Sequence, residues 1–382
     1  MARIYLDNAA TTAMRPEVVA AMVPLLGAAY NPSSLHAEGR AAREAVDAAR
    51  ATVAGLLGAA PREIVFTASG SEADSLAIVG TARALRDRGR HVVTSAIEHQ
   101  AVLHAVDLLE REGWSVTRLP VDGRGMVDPR TFAAALTPET TLATIMLVNN
   151  EIGVIEPIAE LAALARARGV PFHTDAIQAP GWLPLDVRPL GVDLLALSAH
   201  KFSGPKGVGA LYVRAGTPLE PLIVGGSQEH GLRAGTENVA GIVGFAAALA
   251  FAEAERAEAA PRVAALRDRL EAGIRATVPD VLINGAGAAR LPGILSVAFA
   301  DAPSEALLIR LDLAGIAASA GSACAAGSLE PSHVAQALGL DARYRSGVIR
   351  FSLGRATTNG EVEEILARLP ALVAGVRSPL IV

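Results

Sequence analysis

Short apolar runs alternate with longer alanine-rich segments along most of this 382-residue chain. The runs are EIVFTA (63–68), HVVTSA (91–96), SVTRLPV (115–121), TTLATIMLV (140–148), VPFHTDA (170–176), VDLLALSA (192–199) and GALYVR (209–214). Several are apolar without a break, the pattern of strands buried on both faces. Between them, EAVDAARATVAGLLG (44–58) and PIAELAALARARG (157–169) repeat apolar residues at helical spacing. This alternation predicts an α/β fold with a mostly parallel sheet covered by helices.

The pattern changes near residues 253–262, EAERAEAAPR, a charged helical stretch. Val263, Leu266, Leu270 and Ile274 then recur at helix spacing, which predicts a new amphipathic helix opening a C-terminal α+β unit. GILSVAFA (293–300) and VIRFSL (348–353) are the strand candidates of that unit, and NGEVEEILARLPALVAGV closes it as a helix. The expected division is a large domain over 15–256 and a small domain built from 1–14 and 257–382.

Composition narrows the class. Hydrophobic residues make up 51% and charged residues 19%, which favours a packed core over disorder. A net charge of −5 gives no reason to expect nucleic acid or an anionic membrane as a partner. The apolar stretch VAGIVGFAAALAFA (239–252) is too short for a membrane span and reads as a buried helix. The first residues, MARIYLDNAATT, lack the apolar core of a secretory signal. A single cysteine allows no intrachain disulfide, and together these features predict a cytoplasmic protein. The eight histidines show no H-x-x-x-H spacing, so no metal site is expected.

Candidate chemistry begins with lysine. Lys and Arg sum to 34, yet only Lys201 and Lys206 are lysines, both in SAHKFSGPKGVG. Arginine serves for surface charge, but a guanidinium cannot lose its proton and attack a carbonyl, whereas a buried amine can. Lys201 follows an apolar strand and is the candidate Schiff-base amine; Lys206, between Pro205 and Gly207, reads as a loop charge. A pyridoxal-phosphate site needs three further parts: an acid for the ring nitrogen, a phosphate cup and a group to stack on the ring. Asp175 ends VPFHTDA, at the strand edge where α/β sheets bind ligands. TASGSEAD (67–74) puts the N–H groups of Gly70 and Ser71 at a helix start, where an anion fits, a reading compatible with Ser71 as a plain helix cap. His99, after another strand, is a stacking candidate.

The ordered motifs YLDNAATT, NPSSLH, VNNEIGV, FHTDAIQ, SAHKFSGPKGVG, RAGTEN, GSACAAGSLEPSHV and RFSLGRATT span almost the whole chain. In them the chain resembles the cysteine desulfurases, pyridoxal-phosphate enzymes of the aminotransferase-like fold (fold type I, class V branch). It is most similar to their class I group, which supplies sulfur for iron–sulfur clusters and includes the nitrogenase-associated members. The resemblance implies Lys201 as the Schiff-base lysine, Asp175 at the ring nitrogen and His99 on the ring. It implies Asn150 and Gln178 at the ring oxygen, and Gly70, Ser71, Ser198 and His200 around the phosphate. Ser71 stands where many relatives carry threonine, which keeps the hydroxyl. Thr236 matches a phosphate contact donated by the partner subunit, which implies a homodimer. Arg350 matches the arginine that binds the substrate carboxylate, and Asn31 a position near it.

Cys324 lies among Gly, Ser and Ala, with no large apolar residue from 317 to 328. That composition suits a loop presenting a thiolate better than a buried small hydrophobe. The resemblance makes Cys324 the persulfide-forming residue. The implied reaction takes sulfur from L-cysteine, leaves L-alanine, and passes the persulfide sulfur to an acceptor such as an iron–sulfur scaffold protein. His99 is the proton shuttle in this scheme. The alternatives are selenocysteine lyase or another pyridoxal-phosphate reaction on the same fold, or a binding protein that kept the fold without catalysis.

Overall fold

The computed structural model describes residues 3–28, 31–321 and 332–377; Cys324 lies outside the described residues. Its strands, in chain order, begin with β1 (Ile4–Tyr5), β2 (Ile64–Thr67), β3 (His91–Ser95), β4 (Ser115–Leu119), β5 (Thr140–Thr144) and β6 (Phe172–Asp175). They continue with β7 (Leu194–Ser198), β8 (Gly209–Val213), β9 (Val281–Asn284), β10 (Ile294–Phe299), β11 (Ile316–Ala317) and β12 (Val348–Ser352). The seven apolar runs of the N-terminal two thirds form one seven-stranded sheet, in the order β2-β8-β7-β6-β5-β3-β4. Every residue of β2, β3, β5, β6, β7 and β8 is buried, which is why those runs are uninterrupted in sequence. Edge strand β4 is the exception, and Arg118 on it binds Asp107 and Glu110 at 2.6 and 2.7 Å. A charged edge of this kind discourages pairing with another sheet.

Strand direction decides where chemistry collects. β3, β4, β5, β6 and β7 run parallel, while β8 is antiparallel to both β7 and β2. Two reversals return β2 to the common direction. The carboxyl ends of β2, β3, β5, β6 and β7 therefore open on one edge, and the segments after them carry Gly70, His99, Asn150, Asp175 and Lys201.

The helix predicted over 44–58 starts earlier, as Ala37–Leu57. His36 caps it, its Nδ1 accepting from the Gly39 N–H at 3.2 Å, so alanine-rich sequence without apolar periodicity still becomes helix. The expectation of a new helix opening past residue 256 is corrected: one helix, Val239–Thr277, runs through the whole region with Pro261 inside it. Ile242, Phe245 and Leu249 face the core of the large sheet. Val263, Leu266, Leu270 and Ile274 face a separate apolar cluster with Leu295, Phe299, Phe351 and Leu369. The charged stretch between them is helix whose buried side changes partner.

That second cluster is backed by an antiparallel sheet, β12-β10-β9, and by the helices Ser304–Leu313 and Asn359–Arg377. Ile4 and Leu6 belong to it, because β1 pairs in parallel with β11 and Asp7 bridges to Ser352. Residues 7–12 then leave this cluster and cross to the open edge of the large sheet. Among the described residues, no helix is long and apolar enough to cross a membrane.

Candidate active site

Lys201 ends a tight turn, Ala199–Lys201, directly after β7. Its Nζ donates to the Ala9 and Ala10 carbonyls at 2.5 and 2.9 Å. Both belong to the segment that crosses from the second cluster, which is itself pinned on two sides. The Ala9 N–H donates to Ser352 Oγ at 2.9 Å, and Thr12 Oγ1 donates to the His200 carbonyl at 2.8 Å. Gln178 Nε2 also donates to the Ala9 carbonyl, at 2.9 Å.

Asp175 closes β6 and is 5% exposed. Its Oδ1 accepts from the Ile177 N–H at 2.9 Å. Burial pushes the carboxyl up, while the Ile177 N–H and the Lys201 charge pull it back toward the ionised form. His99 caps the helix Gln100–Arg111, with Nδ1 accepting from the Ala101 N–H at 3.1 Å. Burial first, then the charges of Lys201, His333 and His104, lower its pKa to about 4. The imidazole is thus neutral near pH 7, and with Nδ1 accepting, its proton sits on Nε2, free to donate.

At the other end of the cavity, helix follows β2 from Gly70 through a π-turn to Ala84. Ser69 is its cap, Oγ accepting from the Glu72 N–H at 3.1 Å. The reading of Ser71 as cap is therefore corrected, and the Ser71 hydroxyl is not spent on its own helix. A Cβ on Gly70 would fall 2.3 Å from the Ile177 Cδ1 tip and 3.1 Å from Ser198 Cβ, so the helix start lies close against the ends of β6 and β7. His200 Nδ1 lies 3.2 Å from Thr11 Oγ1, and burial, then Lys201 and Lys206, lower its pKa to about 4. Lys206 is exposed at the rim.

Arg350, on β12, is 1% exposed. Its Nη1 donates to the Asn150 and Gly321 carbonyls at 2.8 and 2.7 Å, and its Nη2 to Asp7 Oδ1 at 2.8 Å. Its buried Nε has no hydrogen-bond partner among the described residues. Arg350 lines the cavity with its guanidinium held on three points, so a carboxylate entering there meets a fixed cation.

These groups surround one cavity of about 430 Å³, which Lys201, Asp175, His99, Asn150, Gln178 and Arg350 line together with Gly70, Ser71, Ser198 and His200. Asn31 does not line it; it sits in an exposed turn with Oδ1 accepting from the Ser33 N–H at 2.9 Å. Thr236 is exposed and also does not line it. Sequence reasoning gave no role to Asp7, Ala9, Ala10 and Thr11, or to Met146, which also lines the cavity. A signal was present: in YLDNAATT, Asp7, Asn8, Thr11 and Thr12 put four polar residues directly after the short strand Ile4–Tyr5 and the buried Leu6. Among the described residues, no cluster of side chains suits a metal ion.

The fit to pyridoxal phosphate rests on the donor set. An amine and a buried carboxylate lie in one cavity with a neutral ring. At the far end, hydroxyls and helix-start N–H groups are spaced around Gly70.

The comparisons with known proteins agree with this geometry. The aminotransferase class-V family model matches residues 4–365. The cysteine desulfurase IscS of Dictyoglomus turgidum is 47% identical over 98% of this chain and 95% of its own length. A cysteine desulfurase of Cereibacter sphaeroides is 49% identical over 99% of this chain and 97% of its own. Among solved structures, a NifS-like protein superposes with a TM-score of 0.91 at 36% identity, covering 98% of this chain and 100% of that one. The chain belongs to the class-V aminotransferase family and, within it, to the cysteine desulfurases.

Proposed function

We propose that the chain removes sulfur from L-cysteine, releases L-alanine, and keeps the sulfur as a persulfide on Cys324 for transfer to an acceptor. The observation that carries this reading is the convergence of Lys201, Asp175, His99 and Arg350 on one cavity. A solved relative, 36% identical over 93% of this chain with a TM-score of 0.81, is described as SspA in complex with cysteine.

Pyridoxal phosphate, when bound, supplies an electrophilic carbon for amines and a ring that stores electrons. Gly70, Ser71, Ser198 and His200 would hold its phosphate, Asp175 would keep a proton on the ring nitrogen, and Asn150 and Gln178 would contact the ring oxygen. Lys201 would provide the amine that holds the group and, as a free amine, would take the proton from the substrate α-carbon. Arg350 orients the substrate carboxylate with its fixed guanidinium. His99, neutral and with its proton on Nε2, is the group that exchanges a proton with the substrate sulfur. The Cys324 thiolate attacks that sulfur: an S–S bond forms, the Cβ–S bond breaks, and the electron pair left on carbon is protonated on the way to alanine. L-cysteine and the Cys324 thiol thereby become L-alanine and a Cys324 persulfide, and the atoms balance.

The acting unit in this reading is a homodimer in which Thr236 reaches the partner's phosphate site. Thr236 is exposed, and near it along the chain Ile223 and Val224 are exposed apolar residues at 43% and 78%. The two apolar clusters support a division into a large unit, 15–256, and a small unit of 1–14 with 257–382. The acceptor is a sulfur-accepting protein such as an iron–sulfur scaffold, and the cytoplasm, where a lone thiol stays reduced, is the setting.

Mass spectrometry of the purified protein after L-cysteine should find one added sulfur on Cys324 in wild type and none in Cys324→Ala, which should keep its cofactor absorbance. The same samples should sediment as two chains. Wild type that binds pyridoxal phosphate and yields alanine with Cys324 unmodified would sink the proposal.

A further inference from the structure

Beneath the cavity lie two buried side chains to which the reaction above gives no task. Asp74 sits on the helix whose first residues, Gly70 and Ser71, line the phosphate end. His173 sits on β6, two residues before Asp175. Both are 0% exposed. His173 Nε2 and Asp74 Oδ1 are 3.5 Å apart, and neither Asp74 oxygen nor His173 Nε2 has a hydrogen-bond partner among the described residues. On its other side, His173 Nδ1 lies 2.9 Å from Thr144 Oγ1, on the neighbouring β5 and in register with it.

The chemistry of such a pair is constrained. A lone carboxylate this deep is costly, and Asp74 also faces Asp175 and Glu98, two further acids. Burial and those acids push Asp74 well up, and burial pushes His173 down to about 3. An acid proton on Asp74, 3.5 Å from Nε2, would make the pair neutral, with Nδ1 at hydrogen-bond distance from Thr144 Oγ1. Glu98 does not supply the missing partner: its Oε1 accepts from Ser95 Oγ at 2.6 Å and from the Met146 N–H at 3.1 Å. Lys201, the cation of this region, acts on Asp175.

We propose that Asp74 and His173, with Thr144, form a neutral brace between the helix that starts the phosphate cup and the strand that ends in Asp175. It fixes the spacing between the two ends of the cofactor and leaves the negative charge of that layer to Asp175. The helix start already touches the segment after β6, as the 2.3 Å approach of a Gly70 Cβ to Ile177 shows, so a small shift of either element closes or opens the cup. The inference rests on the assignment of Gly70 and Ser71 to the phosphate and of Asp175 to the ring nitrogen. Asp74, His173 and Thr144 are positioning residues: they act through the groups that touch the cofactor.

The test uses the full chain, stripped of cofactor and titrated with pyridoxal phosphate, with visible absorbance read against concentration and against pH. Asp74→Asn keeps a neutral donor for Nε2 and should bind within about threefold of wild type. His173→Ala leaves Asp74 without an acceptor and should bind about tenfold or more weakly, with a shifted pH midpoint of the bound-cofactor band. Thr144→Val preserves shape and removes only the Nδ1 partner, so it should weaken binding by a smaller factor; it decides the matter if His173→Ala does not fold. Normal binding and an unmoved midpoint in both His173→Ala and Thr144→Val would overturn the brace. Asp74→Asn as damaging as His173→Ala would overturn its neutrality. If wild type itself takes up no pyridoxal phosphate, or Lys201→Ala shows the same absorbance as wild type, the underlying site assignment fails instead.

Discussion

Arg350 concentrates several demands on one side chain. It is buried, it binds two carbonyls and the Asp7 carboxylate, and its Nε–H remains unpaired among the described residues. An ammonium has three donors and no plane, so it cannot hold these three partners in the same geometry and offer a substrate the same fixed cation. Arg350→Lys should raise the KM for L-cysteine by about 10- to 100-fold, the range expected for loss of a charge-assisted pair. Cofactor absorbance should not change, and steady-state kinetics beside an absorbance spectrum checks both. An unchanged KM would remove Arg350 from substrate binding. At this scale the sequence was most readable where chemistry forces a residue type. Lys201 stood out because the chain uses arginine almost everywhere else. Asp7 did not, since its meaning depends on Arg350, 343 residues away along the chain. Asn31 shows the converse: its motif was legible, but its place is an exposed turn away from the cavity.

The strands were readable because the interior of a mostly parallel sheet is apolar on both faces. Those missed were short or half-exposed: β1 and β11 have two residues each, and β9 is buried at only its last two positions. The long helix was read as two elements because its apolar side changes partner between Ala252 and Val263, which looks in sequence like a break. Close approach between elements was invisible. Gly209, at the start of β8, shows this best: a Cβ there would fall 2.5 Å from the Ser69 backbone. Ser69 caps the helix that opens the phosphate end, so the backbone of the cup would have to move. Gly209→Ala should cost roughly 1–3 kcal/mol by overpacking and lower the thermal midpoint by several degrees. It should also weaken pyridoxal-phosphate binding, which separates it from overpacking elsewhere; calorimetry and an absorbance titration read the two effects.

Across the whole molecule, buried acids set how stability responds to pH. Burial pushes Glu98 up to about 8 and Glu156 up to about 7, from an ordinary value of 4.5. Asp74 shifts the same way. The folded chain therefore binds protons that the unfolded chain releases, and this contribution is complete below about pH 4.5 and lost as pH rises through the folded values. His173 acts in the opposite sense: its pKa falls from 6.5 to about 3, so its contribution is complete above pH 6.5 and lost as pH falls through about 3. From about pH 7.5 to pH 8.5, a unit or more above the ordinary histidine value, that histidine is neutral in both states and the acids carry the slope. The thermal midpoint should decline over this interval, and Glu98→Gln should flatten the decline; a variant with the wild-type slope would show that Glu98 ionises normally. None of this was legible in advance, because burial is a property of the assembled layers.

The segment carrying Asp7, Ala9 and Ala10 also has a consequence for biosynthesis. It walls the cavity, yet it is held there by Lys201, 192 residues later than Ala9, and by Arg350 and Ser352, on a strand near the far end of the described chain. A ribosome adding roughly 5–20 residues per second needs about 20–70 s to pass from one to the other. Until Lys201 is made that wall has nothing to close against, and until Arg350 and Ser352 follow it is held on one side only. The nascent chain therefore has no complete cofactor pocket, loading follows translation of β12, and a fragment that stops short of residue 352 leaves the ribosome with its site open on one side.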